Sequence, residues 1–286
     1  MQEGILLIDK PSGFTSFDVI AVLRGMTHIK RIGHSGTLDP MATGVLPCLF
    51  GTASRLCDKM PVNTKVYEAT VLWGTKTDTE DITGKVLESN GTVPTDTEIE
   101  KVLPKFIGTV SQIPPMYSAI KVNGKPLYTL AHQGKEIERK PRLVEIFDIK
   151  KEDDKFIVSC STGTYIRTLF SDIAKELNTV ACLKSLRRIS ANGFDISECI
   201  SWQEAQALAK ENKLTDKILP SETAFKTLPI MQVSPWHAKM LRNGVQLKKD
   251  KFPKNTIGSF RMYYEKEFLG VAVFKENAEQ IFFRNF

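Results

Sequence analysis

The chain has 286 residues, is 42% hydrophobic and 25% charged, and carries a formal net charge of +6. That length supports a sizeable core or one large and one small domain, and no run approaches the roughly 18 apolar residues of a membrane span. No signal-like apolar region opens the chain, its five cysteines are scattered without a C-x-x-C pair, and its four histidines and dispersed acids lack metal-ligand spacing; a secreted disulfide scaffold and a zinc site are set aside, and a cytoplasmic protein with reduced thiols is expected.

Gly4 to Ile8 is an apolar run closed by Asp9-Lys10-Pro11-Ser12-Gly13, a strand followed by a turn. Ser16 then stands as the N-cap of a helix from Phe17 to about Arg24, with Gly25 at its end. From Arg24 to His34 come Arg24, Lys30 and Arg31 with His28 and His34, and no acid. This is either a solvated basic turn or a segment in which Lys30 and Arg31 contact phosphates. Gly33 to Pro47 follows, with three glycines, two prolines, His34 and a single carboxylate, Asp39. Its glycines and prolines argue against a long regular helix or strand.

Val66 to Trp73 alternates as a strand, with Tyr67, Ala69, Val71 and Trp73 on one face. Thr77 to Asp81 is an acidic turn, and Gly84 to Leu87 returns as the paired strand. Thr95-x-x-Glu98 is a capping box for a helix whose apolar face is Ile99, Val102, Leu103 and Phe106. Between Met116 and Arg142, six Lys and Arg residues oppose only Glu136 and Glu138. Tyr117, Tyr128 and His132 are interleaved, and Asn123-Gly124 marks a hairpin turn. The segment reads as a mobile surface hairpin or as an arm closing over a nucleic acid.

Phe156 to Ser161 is another strand. Thr162-Gly163-Thr164 leads into a helix with the stripe Ile166, Leu169, Phe170, Ile173 and Leu177, ending at Asn178. Tyr165 and Arg167 lie off that stripe at the helix start, where a cation is mildly unfavourable and calls for an anionic partner. Val180 to Ile189 is strand-like, and Ser201-x-x-Glu204 is a second capping box for a helix to about Lys210. Periodicity lapses from Ser221 to Pro229, as in a linker. The rest, with a strand at Leu269 to Phe274 and a basic edge of Lys248, Lys249, Lys251 and Lys254, reads as a small β-rich module.

No P-loop, G-x-G-x-x-G fingerprint or nucleophile elbow is present. The residues Leu7-Ile8-Asp9-Lys10-Pro11-Ser12-Gly13-Phe14-Thr15-Ser16 and Gly33-His34-Ser35-Gly36-Thr37-Leu38-Asp39-Pro40-Met41-Ala42-Thr43-Gly44 resemble the first two motifs of the TruB family. Lys65-Val66-Tyr67-Glu68-Ala69, Gly163-Thr164-Tyr165-Ile166-Arg167-Thr168-Leu169 and Cys182-Leu183-Lys184-Ser185-Leu186-Arg187-Arg188 resemble the others, in family order. The likeness runs from about Gly4 to Phe194. Ser35 stands where the family has Thr, and His132 where its arm commonly has Arg.

The resemblance implies an α+β pseudouridine-synthase fold, with a mixed, mainly antiparallel central sheet flanked by helices and a small C-terminal β-rich PUA-like domain. It divides the chain into residues 1–224, carrying the 116–142 arm, and residues 225–286. It implies isomerisation of uridine 55 in the T-loop of tRNA to pseudouridine, a reaction that requires no redox cofactor and no metal; no obligate protein partner is expected, and a monomer is expected because no separate apolar interaction stripe is evident. Asp39 is then the catalytic aspartate, Tyr67 lies against the target base and Arg167 pairs with Asp39. His34 holds the opened T-loop, Tyr165 supports the site, Leu183 packs beside it, and Lys10 and Pro11 brace its floor.

The chemistry fits these residue types. The N1–C1′ bond breaks, the uracil turns and C5 bonds to C1′, so no electrons are gained or lost. One carboxylate can act as nucleophile at C1′ or as base at C2′, whereas glycoside hydrolysis usually needs a second carboxyl group. The base must be flipped out of a folded loop and stacked on side chains. Taken singly, Asp39 reads as a turn residue, Tyr67 as a strand aromatic, Leu183 as core and His34 as a loop histidine. Five motifs in order reverse that. The competing reading is a non-catalytic RNA-binding protein or tRNA-folding chaperone on the same fold.

Overall fold

The computed structural model describes residues 3–57, 60–122 and 124–284, without the side chains of Lys121, Lys125 and His132. The opening apolar run is strand β1 (Gly4–Lys10). Ile5 and Leu7 sink into one core and Leu6 and Ile8 into another, so burial on both faces replaces alternation. Helix α1 (Ser16–Thr27) is capped by Thr15, not Ser16. The Thr15 hydroxyl accepts from the Asp18 amide, and the Asp18 carboxylate accepts from the Thr15 amide. The helix runs through Gly25 and stops at His28, which takes the left-handed conformation with φ of 57°. Val19, Ile20 and Leu23, buried against the sheet, outweigh the weak helix propensity of Gly25.

Strands β2 (Ile32–His34) and β3 (Thr43–Phe50) flank the Asp39 loop. The glycine and proline content does not keep β3 from being a strand eight residues long. Pro47 sits inside it with its nitrogen and carbonyl on the edge towards β2, and its carbonyl accepts from the Ser35 amide (3.0 Å).

Strand β4 (Thr64–Trp73) alternates as expected, with Lys65, Tyr67 and Ala69 buried. The acidic turn joins β5 (Thr75–Thr77) to β6 (Val86–Ser89). The Thr95–Glu98 box caps α2 (Asp96–Val102), and β7 (Gly108–Gln112) follows. In the arm, β8 (Lys121–Val122) and β9 (Lys125–Pro126) pair antiparallel and lead into α3 (Leu127–His132). Asn123, half of the expected turn signal, and the His132 side chain lie outside the described residues.

Next come β10 (Arg142–Glu152), β11 (Lys155–Ser161), α4 (Ile166–Glu176), β12 (Ala181–Ala191), β13 (Phe194–Asp195), β14 (Ile200–Ser201) and α5 (Trp202–Lys210). The second capping box is only half formed. Ser201 accepts from the Glu204 amide, but the Glu204 carboxylate turns to Lys217 (3.7 Å). The stretch expected as a linker contains a 3-10 turn, Ser221–Phe225, because Ala224 and Phe225 find a core to enter.

Ten strands form one sheet in the order β14-β1-β3-β12-β4-β11-β10-β7, with β2 beside β3 and β13 beside β12. Only β1–β14 and β3–β12 are parallel. Helix α4 covers β4, β11 and β12 through Ile166, Leu169, Phe170 and Ile173, and α1 and α5 cover β1 and β3. The C-terminal strands β15 (Ile230–Gln232), β16 (Gly258–Tyr264), β17 (Glu267–Phe274) and β18 (Phe282–Arg284) form a second sheet. A helix the sequence did not announce, α6 (Pro235–Arg242), packs Ala238 and Leu241 into its core. The second sheet contacts the Ser221–Phe225 turn, where Phe268 approaches Phe225 (6.4 Å between centroids) and the Tyr263 hydroxyl donates to Glu222 (2.7 Å). Among the described residues, no helix is long and apolar enough to cross a membrane. The architecture is the mixed, mainly antiparallel sheet with flanking helices and a smaller C-terminal sheet that the motifs imply.

Candidate active site

The loop between β2 and β3 is tied down from three directions. From α1, the Ser16 hydroxyl accepts from the Leu38 amide (2.8 Å) and donates to the Leu38 carbonyl (3.3 Å). From the end of β1, the fully buried Lys10 ammonium donates to the carbonyls of Pro11 (2.9 Å), Phe14 (2.5 Å) and Pro40 (3.3 Å). From β12, the buried Arg188 guanidinium donates to the carbonyls of Gly36 (3.0 Å) and Val45 (2.7 Å). At Gly44, φ is 106° and a Cβ would lie 2.1 Å from the Arg188 carbonyl, so only glycine lets β3 and β12 come this close.

Asp39 rises from this loop to meet Arg167, the second residue of α4. The pair is bidentate, with Nη2 to Oδ1 at 3.0 Å and Nε to Oδ2 at 2.9 Å. Arg167 is 3% exposed, and its remaining donors reach the carbonyls of Thr79 (2.7 Å) and Tyr117 (2.9 Å). One guanidinium therefore joins the Asp39 loop, the acidic turn and the base of the arm. The acidic turn is itself held by buried Asp81, which accepts from the Thr83 amide (2.9 Å) and the Thr79 hydroxyl (2.9 Å).

The Asp39 side chain is 30% exposed, and its exposed part opens into the cavity it lines. Desolvation pushes its carboxyl above the ordinary carboxylate value; Arg167 pulls it back, and Asp81 adds a smaller push upward. Tyr67 is likewise pushed up by burial, against the pull of Arg188.

Two cavities meet at Asp39 and Arg167. The larger, about 730 Å³, is lined by His34, Phe17, Tyr117 and Tyr128. The smaller, about 310 Å³, is lined by Lys65, Tyr67, Tyr165 and Leu186. The structure thus brings Asp39, Arg167, Tyr67, Tyr165 and His34 together. The Tyr165 backbone is fixed by Gln112, whose side-chain carbonyl accepts from the Tyr165 amide (3.1 Å).

Four of the candidate side chains, Leu183, Lys10, Lys30 and Arg31, lie off the walls of the two cavities. Leu183 is core and lines neither cavity; Leu186 has the wall position. A β-bulge between Leu183 and Ser185 resets the strand against β4, and counting along the motif does not reveal it. Lys10 braces the loop from within and cannot contact RNA, because its amine is spent on backbone carbonyls. Lys30 and Arg31 are exposed but border neither cavity, and Arg31 Nε donates to the Ser54 hydroxyl (2.8 Å). Sequence reasoning gave no role to Lys65, Asp81, Leu186 and Arg188. For Lys65 a signal exists, since it precedes Tyr67 by two residues and so shares its strand face. Among the described residues, no three His, Cys, Asp or Glu side chains stand together as metal ligands.

The family model for the TruB family pseudouridylate synthase N-terminal domain matches residues 24–166, and that for the tRNA pseudouridylate synthase B C-terminal domain matches residues 167–226. A tRNA pseudouridine synthase B of Oenococcus oeni is 38% identical, over 93% of this chain and 95% of its own length. The tRNA pseudouridine synthase B of Clostridium kluyveri is 39% identical, over 96% of both. In three dimensions, a chain of a Cbf5-Nop10-Gar1 complex aligns with a TM-score of 0.74, covering 100% of this chain and 84% of that one. At 24% identity, that is a likeness of fold.

Proposed function

Because the chain belongs to the TruB family of pseudouridylate synthases, we propose that the Asp39 cavities are where it converts uridine 55 of the tRNA T-loop to pseudouridine, with Asp39 as the catalytic carboxylate. The activity is that of a tRNA pseudouridine synthase, an isomerase. The observation that carries the assignment of the site is the bidentate Asp39–Arg167 pair at the junction of the two cavities.

The flipped uracil enters the smaller cavity, against Tyr67 and Leu186. Asp39 then acts at C1′ or C2′ of the ribose. Its carboxylate must be ionised in either role, and Arg167 both holds that form and fixes which oxygen faces the sugar. The retained uracil turns in the closed space and its C5 bonds to C1′. Tyr165 supports the cavity wall, and His34, on the larger cavity, holds the opened T-loop beside the flipped base. Lys30 and Arg31 contact RNA phosphates outside the cavities.

Residues 1–224 form the catalytic domain and residues 225–286 a PUA-like RNA-binding domain, a division supported by the two separate sheets. The enzyme works in the cytoplasm, a reading supported by five scattered cysteines without a C-x-x-C pair, and as a monomer without an obligate protein partner. The test is a T-stem-loop RNA tritiated at uracil C5. Wild type is expected to release tritium to water, and Asp39→Ala to release none. No release by wild type overturns the substrate, and release by Asp39→Ala overturns the catalytic group.

A further inference from the structure

Lys65 leaves the same face of β4 as Tyr67 and is 7% exposed. It lines the smaller cavity together with Asp39, Tyr67 and Arg167. Its amine lies against the backbone of Gly36, where a Cβ would come within 2.8 Å of Nζ. Its cross-strand neighbours are Cys160 and Ala191. The charge acting on it most strongly is another buried cation, Arg188. Among the described residues, no carboxylate pairs with Lys65 and no hydrogen bond takes up its protons. A buried ammonium beside a second cation is strongly unfavourable unless an anion compensates it. Folding supplies none at this position.

The reaction does supply one. When the C1′–N1 bond breaks, the bonding pair stays with the base, which departs as uracilate with its charge spread over N1, O2 and O4. We propose that Lys65 is a catalytic residue whose ammonium faces the detached uracil and stabilises that negative charge until C5 attacks C1′. The lysine keeps its proton throughout. In sum, one C–N bond breaks, one C–C bond forms, and one proton moves from C5 to N1. Burial brings the Lys65 pKa down to about 8, which leaves the amine mostly protonated at neutral pH. An RNA phosphate is the other anion available, but a cavity walled by Tyr67 and Leu186 fits a flat base better than a hydrated phosphate.

The role rests on the isomerase reading of the Asp39 cavities, so wild-type tritium release is the reference. Should wild type release none, that reading fails first and this role with it. The experiment compares wild type, Lys65→Met and Lys65→Gln in single turnover, on T-stem-loops carrying uridine or 5-fluorouridine at the target. Turnover is read by chromatography of the digested RNA, folding by circular dichroism, and affinity by filter binding. Lys65→Met is expected to fold, to bind RNA within about twofold of wild type, and to process uridine on the order of 100-fold more slowly, the usual effect of removing one preorganised donor. With 5-fluorouridine, whose base leaves more readily as an anion, the loss should shrink to about tenfold. Lys65→Gln, a neutral donor, should fall between. An equal loss on both substrates, an affinity loss as large as the rate loss, or no loss in either variant would overturn the proposal.

Discussion

Arg167 decides how usable the Asp39 carboxylate is. Burial drives that carboxyl upward, and the bidentate guanidinium is the strongest force in the other direction. An ammonium cannot reproduce the planar fork or reach Thr79 and Tyr117 at the same time. Arg167→Lys is therefore expected to slow single-turnover isomerisation by about 100-fold or more, with a smaller change in RNA affinity. The pH profile carries the sign. In the proposed role Asp39 works ionised, so the rate is expected to fall as pH drops through its raised pKa, with the acid limb above the ordinary 3.8. Arg167→Lys should move that limb higher still, and a limb at or below 3.8 in wild type would contradict the account. Lys65 gives the complementary case. Its pKa is about 8 in the folded chain against an ordinary 10.5, a penalty of about 3 kcal/mol on the buried charge. Below pH 8 the amine is charged both folded and unfolded, and the penalty is complete. As pH rises from 8 towards 10.5 it fades. Lys65→Met should thus be more stable than wild type to urea at pH 7, by up to about 3 kcal/mol, with the gain shrinking by pH 10. A variant slower in catalysis yet more stable is the signature of a group held for function.

The elements matter here mainly through what their ends hold. Ser16 sits in the first turn of α1, but its hydroxyl is spent on the amide and carbonyl of Leu38, next to Asp39. Ser16→Ala strands a buried amide and is expected to lower the free energy of unfolding by about 1–3 kcal/mol. It should also slow single-turnover isomerisation more than it weakens RNA binding, because the Asp39 loop loses a fixed point. An unchanged denaturation midpoint and rate would show that Lys10 and Arg188 suffice. The same residue marks how far the sequence can be read. A serine before an apolar stripe is a plausible cap, but Thr15 with Asp18 completes a reciprocal box and leaves Ser16 free for the loop. The strands β1, β4, β11 and β12 and the stripe of α4 were legible because their burial follows from period and run length. The Asp39, Tyr67 and Arg167 constellation was legible from motifs in order. The choice of Leu186 over Leu183 was not, because a bulge alters facing without altering composition. Arg188 was hidden for another reason. A buried arginine satisfied by carbonyls has no carboxylate partner for a sequence to display. Helix α6 was missed because its proline sits in the first turn, where it is tolerated, not as a break.

At the scale of the whole molecule, the net charge of +6 divides into two populations with different tasks. Lys10, Lys65, Arg167 and Arg188 are buried and act on the Asp39 loop and its cavities. They add to the long-range field, but the donors of Lys10, Arg167 and Arg188 are spent on protein oxygens and Lys65 faces the cavity. Exposed residues must supply those contacts, and Lys30 and Arg31 stand where the chain leaves α1 and enters β2, just before the catalytic loop. RNA affinity is therefore expected to fall with salt through the exposed population alone. Each phosphate neutralised contributes about 0.7–0.9 to the slope of log affinity against log salt. Lys30→Ala should flatten that slope by roughly this amount and weaken binding to any RNA sequence alike, raising KM more than it lowers kcat. Arg31→Ala tests the neighbour, whose Nε is already engaged by Ser54. Lys65→Met should leave the slope where it is, because its ammonium meets the base and not the backbone. Titrations of a T-stem-loop over a range of salt concentrations measure all three. An unchanged slope in Lys30→Ala would return that segment to a solvated basic turn. A flattened slope in Lys65→Met would move Lys65 from the chemistry to the RNA backbone.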